Sequence, residues 1–311
     1  MISLDGHRVA VTGASGRLGR AAVDAFRGAG AEVLPWSRPA YDLDDPEAAE
    51  RQIRATSPGL VIHAAAWTDV DGCARDPGLA LRRNADAAGE LARACRAASV
   101  GLLVISTNEV FDGLRTDGTG YREEDPTSPP NPYGASKLAG EHAATESLGA
   151  SDAALWIVRT SWLFGPPGND FPARILAAAG RLAPEQPLRV VADEFGSPTS
   201  VADLASALVA LVERTAGGVH HLVNAGHTSR FGWADRVLRN QGLTTLVEPI
   251  RQVDYPRPSK PPRWGVLATD RAAAVGVRLR DWESAVDAYS VATGVGAALH
   301  ASSTVASRGL T

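Results

Sequence analysis

The first half of the chain alternates between short apolar runs and segments with the periodicity of amphipathic helices. The apolar runs read HRVAVTG, AEVLPW, GLVIHAAA, GLLVIST and ALWIVRTSW. Nearly continuous apolar runs separated by helices are typical of parallel strands that helices cover on both faces. This alternation constrains the fold more than any other feature. It predicts an α/β protein with a doubly wound parallel sheet.

The alternation ends near residue 165, where prolines and glycines cluster in GPPGNDFP and again in VDYPRPSKPPRWG. Helical patterns and short apolar runs such as VHHLV follow without a regular rhythm. We therefore predict a first domain over residues 1–165 and a smaller lobe over residues 166–290 that also returns strands to the sheet. Residues 291–311 are mostly small and polar and have no periodicity, so we predict a flexible tail there.

Composition limits the classes of function. The chain has 311 residues, a net charge of −4 and an isoelectric point near 6.0, which argues against a nucleic-acid or membrane-surface partner. It shows no secretory leader and no apolar stretch long enough to span a bilayer. The two cysteines, Cys73 and Cys95, are too few for a disulfide framework and lack metal-site spacing. We expect a cytoplasmic enzyme or binding protein without a metal site.

Three glycines mark the junction between the first apolar run and the first helix. The segment reads VTGASGRLG, with Gly13, Gly16 and Gly19 spaced three residues apart. Between a strand and a helix, such glycines allow a tight turn, close approach of a pyrophosphate and close packing of the helix on the sheet. Free N–H groups at the helix N-terminus then bind the anion. The segment predicts a dinucleotide site; the structural alternative is a tight turn that binds nothing.

The end of the second apolar run indicates which dinucleotide is bound. An acidic residue there would bind the ribose 2′-hydroxyl of NAD, but the segment LPWSRP has none and places Arg38 after Ser37. An arginine can pair with the 2′-phosphate of NADP, so we predict NADPH and keep NADH as an alternative. The structural alternative for Arg38 is a solvated surface residue. Asp42 and Leu43 follow, and we predict that they lie against the adenine.

The segment NPYGASKLAGE contains a lysine in a chain that otherwise uses arginine. Of 31 basic residues, only Lys137 and Lys260 are lysines. Lys137 follows Tyr133 by four residues on a helical pattern, so the two side chains share a face. A nearby cation lowers the pKa of a phenol, which makes the phenol a better acid–base catalyst near neutral pH. The structural alternative is an exposed helix face without chemistry.

Hydroxyl side chains end the strand that precedes this helix. The run GLLVIST closes with Ser106 and Thr107, and open α/β sheets bind ligands at the carboxyl ends of their strands. A hydroxyl at this place could hold a carbonyl oxygen while Tyr133 protonates it.

Taken in this order, the glycine loop, the strand-end hydroxyls and the Tyr-x-x-x-Lys pair resemble the extended short-chain dehydrogenase/reductase superfamily. Finer motifs resemble one family within it, the dTDP-4-dehydrorhamnose reductases, over roughly residues 7–290. These motifs are HAAAWTDVDGCARDP (63–77), STNEVFDG (106–113), NPYGASKLAGE (131–141), RTSWLFG (159–165), DEFGSPTSVADLA (193–205), RWGVLATDR (263–271) and LRDW (279–282).

The resemblance implies a Rossmann-type domain with a smaller C-terminal substrate-binding lobe. It implies NADPH-dependent reduction of the C4 ketone of a nucleotide-linked 4-keto-6-deoxy sugar, in deoxysugar biosynthesis, by a monomer or homodimer. Thr107 would be the catalytic threonine, Tyr133 the proton donor and Lys137 the ribose-binding lysine. Trp162 would contact the sugar, and its structural alternative is a buried core aromatic.

The resemblance also implies two sets of binding residues and no metal ligands. The cofactor set is Gly13, Ser15, Gly16, Arg17, Leu18, Gly19, Ser37, Arg38, Asp42, Leu43, Ala64, Ala65, Ala66, Thr68, Ser106, Tyr133 and Lys137. The substrate set is Thr107, Asn108, Glu109, Val110, Phe111, Trp162, Asn169, Glu194, Gly196, Pro198, Thr199 and Arg263.

Two departures from the family pattern bear on the substrate. The family usually reads STDYVF, whereas this chain has Asn108 and Glu109 in place of Asp and Tyr. The usual Arg-Pro pair before the SVL run is replaced by two prolines, so Lys260 or Arg263 would supply the cation near the nucleotide phosphates.

Two other functions stay open. One is a sugar-nucleotide epimerase or dehydratase, although a dehydratase would want two acids after Thr107; the other is a non-catalytic, cofactor-binding regulatory subunit.

Overall fold

The structure, a computed structural model, describes residues 1–149, 151–183 and 185–293. The strands are β1 (Arg8–Thr12), β2 (Glu32–Trp36), β3 (Leu60–His63), β4 (Gly101–Thr107), β5 (Leu155–Thr160), β6 (Leu163–Phe164), β7 (Leu188–Val191), β8 (Phe195–Gly196), β9 (Thr199–Ser200), β10 (Gly218–His221), β11 (Thr228–Ser229) and β12 (Val247–Ile250). The α-helices are α1 (Arg17–Gly28), α2 (Ala48–Thr56), α3 (Val70–Arg75), α4 (Pro77–Leu81), α5 (Ala87–Ala97), α6 (Pro132–Leu148), α7 (Phe171–Ala179), α8 (Val201–Arg214), α9 (Arg230–Asn240), α10 (Asp270–Ala274) and α11 (Trp282–Thr293).

Six of these strands form one parallel sheet in the order β10-β5-β4-β3-β1-β2. The chain moves from β1 outward to β2, returns to β3 on the other side of β1, and continues to β4 and β5. This reversal beside β1 leaves a crevice at the carboxyl ends of the strands, where doubly wound sheets bind ligands. The predicted fold class is confirmed. A strand from the second half of the chain, β10, completes one edge of the sheet.

Helices cover both faces of the sheet, as the continuous apolar runs predict. On one face, α1 and α8 pack against the strands through buried residues such as Phe26 and Leu208. On the other face, α2, α5 and α6 do so through Ile53, Leu91 and Ala144. Because successive strand residues point to opposite faces, a strand covered on both sides is apolar at nearly every position. These layers fix the strand ends that position the site.

A third apolar cluster, around Phe164, Trp233 and Trp282, joins α7, α9 and α11 in the second half of the chain. The short pairs β6–β9, β7–β12 and β8–β11 lie in the same half. Helix α11 ends at Thr293 and so includes the first three residues of the segment 291–311 that was predicted as a tail; the rest of that segment lies outside the described residues. In the described part of the chain, no helix is long and apolar enough to cross a membrane.

Candidate active site

A cleft of about 810 Å³ lies at the carboxyl ends of β1, β3 and β4 and extends to α7 and α9. Every residue of the predicted cofactor set lines it. Five residues of the predicted substrate set also line it: Thr107, Asn108, Glu109, Trp162 and Asn169. The cleft therefore brings the glycine loop, the strand-end hydroxyls and the Tyr-x-x-x-Lys pair into one continuous space.

The glycine loop forms one part of the cleft wall. Gly13 has a φ of +63°, and a side chain there would come within 2.9 Å of the Ala65 backbone. A side chain at Gly19 would come within 2.0 Å of the Gly13 carbonyl oxygen. Gly16 precedes α1 without a side-chain capping bond, so no cap side chain occupies the first N–H groups of the helix. These N–H groups suit an anionic ligand, and the loop fits the pyrophosphate of a dinucleotide.

The segment after β2 brings charged side chains to the same cleft. Arg38 is exposed and lines the cleft together with Asp42. Arg83 lines it as well, but its guanidinium donates to the Asp44 carboxylate over 2.7 Å and lies over the Trp67 ring. Arg38 makes no side-chain hydrogen bond or ion pair to any residue that the structure describes. Its donors are therefore available to a phosphate.

A buried asparagine holds the loop after β3 against α6. Asn84 lies in a single π-helical turn, Arg82–Asp86, between α4 and α5. Its side chain accepts a hydrogen bond from the Trp67 N–H over 2.7 Å and donates to the Ser136 hydroxyl over 3.0 Å. These bonds fix the loop after β3 relative to the helix that carries Tyr133 and Lys137. Asn84 was not predicted from the sequence, because its partners Trp67 and Ser136 are distant along the chain.

Tyr133 lies in the first turn of α6, which Asn131 caps by accepting a hydrogen bond from the Gly134 N–H over 2.9 Å. Burial is the main cause that raises the pKa of the Tyr133 phenol; the charge of Glu109 also raises it, and the Thr107 hydroxyl opposes the rise. The direction is opposite to the predicted lowering, because burial disfavours the phenolate. The phenol is therefore protonated at neutral pH.

Lys137 is buried one turn further along α6. Burial lowers the pKa of its ammonium group to about 8, and the Glu141 carboxylate opposes the fall. Glu141 is itself held by Arg159, whose guanidinium donates to it over 2.7 and 3.0 Å, and by the Ser106 hydroxyl. This buried network supports the helix behind Lys137. It also engages the Ser106 hydroxyl, which was predicted to bind the cofactor.

An arginine covers the tryptophan on the second-lobe side of the cleft. Trp162 follows β5 with a φ of +47°, and its ring stacks on Trp233 with centroids 5.7 Å apart. The Arg230 guanidinium lies 3.7 Å from the centre of the Trp162 ring and 3.7 Å from the Glu194 carboxylate. Burial lowers the pKa of Arg230 to about 10, so this cation sits in a poorly solvated place. Arg230 was not predicted from the sequence, because its partners are distant along the chain.

Comparison with known proteins identifies the family. A family model described as the RmlD substrate binding domain matches residues 7–293. The chain belongs to this family. The dTDP-4-dehydrorhamnose reductase of Streptomyces griseus is 38% identical over 283 residues, which cover 89% of this chain and 90% of that protein. The dTDP-4-keto-6-deoxy-D-glucose reductase of Streptomyces niveus is 34% identical over 278 residues, which cover 89% of this chain and 94% of that protein.

Solved structures agree with the family. A dTDP-4-dehydrorhamnose reductase from Bacillus anthracis, in complex with NADP, superposes with a TM-score of 0.85 at 29% identity. The match covers 92% of this chain and 99% of that chain. The resemblance seen in the motifs is thereby confirmed, and RmlD-family membership extends over nearly all of the described residues.

Two residues of the substrate set lie in the core of this RmlD-family chain and not in the cleft. The 3₁₀ turn Asn108–Val110, directly after β4, turns the chain inward. Val110 and Phe111 are fully buried as a result, and the Phe111 ring stacks on Tyr121 with centroids 4.5 Å apart. Neither residue lines the cleft, and their contact with substrate stays a prediction.

Four more residues of the substrate set lie behind the cleft wall. They are Glu194, Gly196, Pro198 and Thr199. Gly196 backs the Trp162 ring so closely that a side chain there would come within 2.7 Å of it. The Thr199 hydroxyl donates to the Ser197 carbonyl oxygen over 3.1 Å. Gly196 and Thr199 contact Trp162, and Glu194 pairs with Arg230. None of the four residues lines the cleft.

The cation expected from the proline-rich segment does not line the cleft. Arg263 is exposed and pairs with Asp193 over 3.3 Å, and Lys260 is exposed as well. The arginines that line the cleft on this side are instead Arg174 and Arg230. The assignment of Arg263 to the substrate stays a prediction.

Proposed function

We propose that this protein is an NADPH-dependent reductase that acts on the C4 ketone of a dTDP-linked 4-keto-6-deoxy sugar in deoxysugar biosynthesis. The first substrate to test is dTDP-4-dehydrorhamnose. The observation that carries the proposal is the convergence of Thr107, Tyr133 and Lys137 in one cleft with the glycine loop. The relatives support the same substrate class, since both are named as reductases of dTDP-linked keto sugars. The NADP in the Bacillus anthracis structure supports the cofactor.

The residues of the site perform the proton chemistry. The Tyr133 phenol is protonated at neutral pH, as a phenol is even at its ordinary pKa near 10, and it gives this proton to the oxygen at C4. The Thr107 hydroxyl donates to the same oxygen, which orients the ketone and stabilises the charge that develops there. When bound, the nicotinamide cofactor supplies the hydride.

Three places in the cleft suit the cofactor. The N–H groups at the start of α1, next to Gly16, would hold the pyrophosphate. Arg38 would pair with the 2′-phosphate, which gives the preference for NADPH over NADH. Lys137, whose pKa is about 8, is mostly protonated at pH 7 and would donate to the nicotinamide ribose.

The two parts of the chain would divide these tasks. Residues 1–165 would supply the cofactor side and the catalytic triplet, and residues 166–290 would supply Asn169 and Arg230 to the substrate side. A cytoplasmic monomer or homodimer that binds neither nucleic acid nor membrane accords with the net charge of −4.

NADPH oxidation with a panel of dTDP-, GDP- and UDP-linked 4-keto sugars tests the function. The wild-type protein should turn over the dTDP sugars fastest. Tyr133→Phe should lower kcat by about a hundred- to ten-thousand-fold, while the Kd for NADPH changes little. Tyr255→Phe, the same change at an exposed tyrosine, is the control and should behave as wild type.

Three results would refute this function. A Tyr133→Phe protein with half of the wild-type activity would remove the phenol from the mechanism. Nicotinamide absorbance that persists through purification, with interconversion of sugar nucleotides, would favour an epimerase. A stoichiometric co-purifying protein, with no turnover of any keto sugar, would favour a regulatory subunit.

A further inference from the structure

Glu109 is an acidic residue of the cleft lining that has no part in the proposed ketone reduction. Glu109 lines the cleft in the 3₁₀ turn that follows β4. Its peptide N–H donates to the Thr107 hydroxyl oxygen over 3.2 Å. Its carboxylate accepts a hydrogen bond from the Asn131 side chain over 2.6 Å. Hydrogen bonds therefore fix both the backbone and the side chain of Glu109.

Glu109 is fixed next to the proton donor. Asn131, which holds the Glu109 carboxylate, also caps the helix that carries Tyr133. The backbones of Glu109 and Gly134 also pack closely, because a side chain added at Gly134 would come within 2.1 Å of the Glu109 carbonyl oxygen. The charge of Glu109 reaches the Tyr133 phenol and raises its pKa. Glu109 and Tyr133 thus line the same cleft, and the charge of one acts on the other.

The surroundings of Glu109 suit a group that alternates between carrying and losing a proton. Burial is the main effect and raises the pKa of its carboxyl. The hydrogen bond from Asn131 and the charges of Arg230 and Arg257 oppose the rise, and the charge of Glu194 adds to it. A carboxyl group whose pKa is moved toward neutrality is better matched to proton transfer near pH 7.

We propose that Glu109 is a general base that removes a proton from a carbon next to the C4 ketone, so that the site also exchanges or inverts the hydrogen at C3 or C5. This inference rests on the proposed function, because it requires a 4-keto sugar in the cleft. The hydroxyls of Tyr133 and Thr107 assist both reactions in the same way. They donate to the carbonyl oxygen, and a polarised ketone makes the hydrogen on the neighbouring carbon more acidic.

The proton transfer is balanced within the site. The C–H bond breaks, its proton passes to the Glu109 carboxylate, and its electron pair forms the carbon–carbon double bond of an enolate. The negative charge moves to the former carbonyl oxygen, where Tyr133 and Thr107 donate hydrogen bonds. The Glu109 carboxyl then exchanges its proton with water, and return of a solvent proton to the same face gives exchange. Delivery of a proton from water to the opposite face of the carbon gives inversion. The step needs no oxidant or reductant.

The neighbouring residue favours exchange over loss of water. Asn108 donates from its side-chain nitrogen to the Gly265 carbonyl oxygen over 3.0 Å. An amide has no acidic proton to give to a departing hydroxyl group. The enolate that forms beside Glu109 therefore returns to the ketone instead of eliminating water, which separates this activity from that of a dehydratase.

Solvent exchange tests the proposal. The probe, dTDP-4-keto-6-deoxy-D-glucose, is incubated in D2O with the protein and NADP⁺, and proton NMR follows the signals at C3 and C5. The wild-type protein should replace one of these hydrogens with deuterium about a hundred-fold faster than Glu109→Gln. Glu109→Asp keeps a carboxylate and should recover part of the rate. Glu146→Gln, the same change at an exposed position of α6, should exchange as fast as wild type.

NADPH oxidation by the same samples separates this proposal from the reductase function, and NADPH binding shows that each variant is folded. A wild-type protein that reduces the sugar, but exchanges it no faster than the protein-free solution, would overturn the role of Glu109 and leave the reductase function standing. Equal exchange by wild type and Glu109→Gln would also overturn it. Exchange that depends on Glu109 without any reduction would support the base and refute the reductase.

Discussion

Replacing Lys137 by methionine should stabilise the fold while it removes activity. Burial lowers the pKa of Lys137 from 10.5 to about 8, and each pKa unit is worth about 1.4 kcal/mol. At pH 7 the folded protein therefore spends roughly 3 kcal/mol to keep this ammonium group charged. Methionine fills a similar volume without a charge. For a chain of this length, roughly 3 kcal/mol corresponds to a rise in Tm of about 5 °C.

The dependence on pH distinguishes this cause from better packing. The cost of the charge is complete below pH 8 and disappears above pH 10.5, because a neutral lysine is equally favourable in both states there. The advantage of Lys137→Met should therefore shrink to roughly 1.4 kcal/mol at about pH 9.5. Thermal unfolding of wild type and variant at pH 7 and at about pH 9.5 measures this gain in stability. Lys260→Met, at the exposed second lysine, is the control. A lower Tm for Lys137→Met, or an equal gain at both pH values, would refute the reasoning.

Three further changes test other parts of the site. Arg38→Ala should raise the KM for NADPH about ten- to a hundred-fold and leave that for NADH unchanged, as loss of a charge-assisted hydrogen bond predicts; steady-state kinetics with both cofactors would disprove the pairing if both KM values moved together. Glu141→Gln should lower the free energy of unfolding by about 3–5 kcal/mol, because Arg159 is left buried without its partner; an unchanged urea midpoint would contradict this. Gly19→Ala should abolish NADPH binding in a titration, since its methyl group would meet the Gly13 carbonyl at 2.0 Å; normal affinity would show that the loop can yield.

The frame of the site could be predicted from the sequence because it depends on local patterns. The apolar runs form β1 to β5, and the helical pattern that carries Tyr133 and Lys137 forms α6. The order of motifs along the chain then places their residues together, because the carboxyl ends of parallel strands meet at one edge of the sheet. Gly13, Thr107 and Lys137 could therefore be assigned to one cleft from their positions in the sequence alone.

The substrate side could be predicted only in part, because its contacts join segments that are distant in sequence. The run STNEVF gives no sign of where its side chains point. In the structure a 3₁₀ turn follows Thr107, so that Glu109 lies at the cleft and Phe111 packs in the core. No motif indicates that Arg230, at the start of α9, covers Trp162 from the end of β5. The direction of the phenol pKa was missed for the same reason, since it depends on burial by surrounding segments and on a carboxylate from another element.

The burial of Lys137 gives a physical reason for a lysine in a chain that otherwise uses arginine. An arginine stays charged under all ordinary conditions, so a buried one needs a carboxylate in direct contact. Arg159 meets that need, because Glu141 lies 2.7 Å from its guanidinium. Lys137 makes no ion pair to a residue that the structure describes, and its pKa can fall to about 8. Lysine therefore stands where the proposed partners are neutral hydroxyls of a phenol and a ribose, and arginine stands where the partner is an anion.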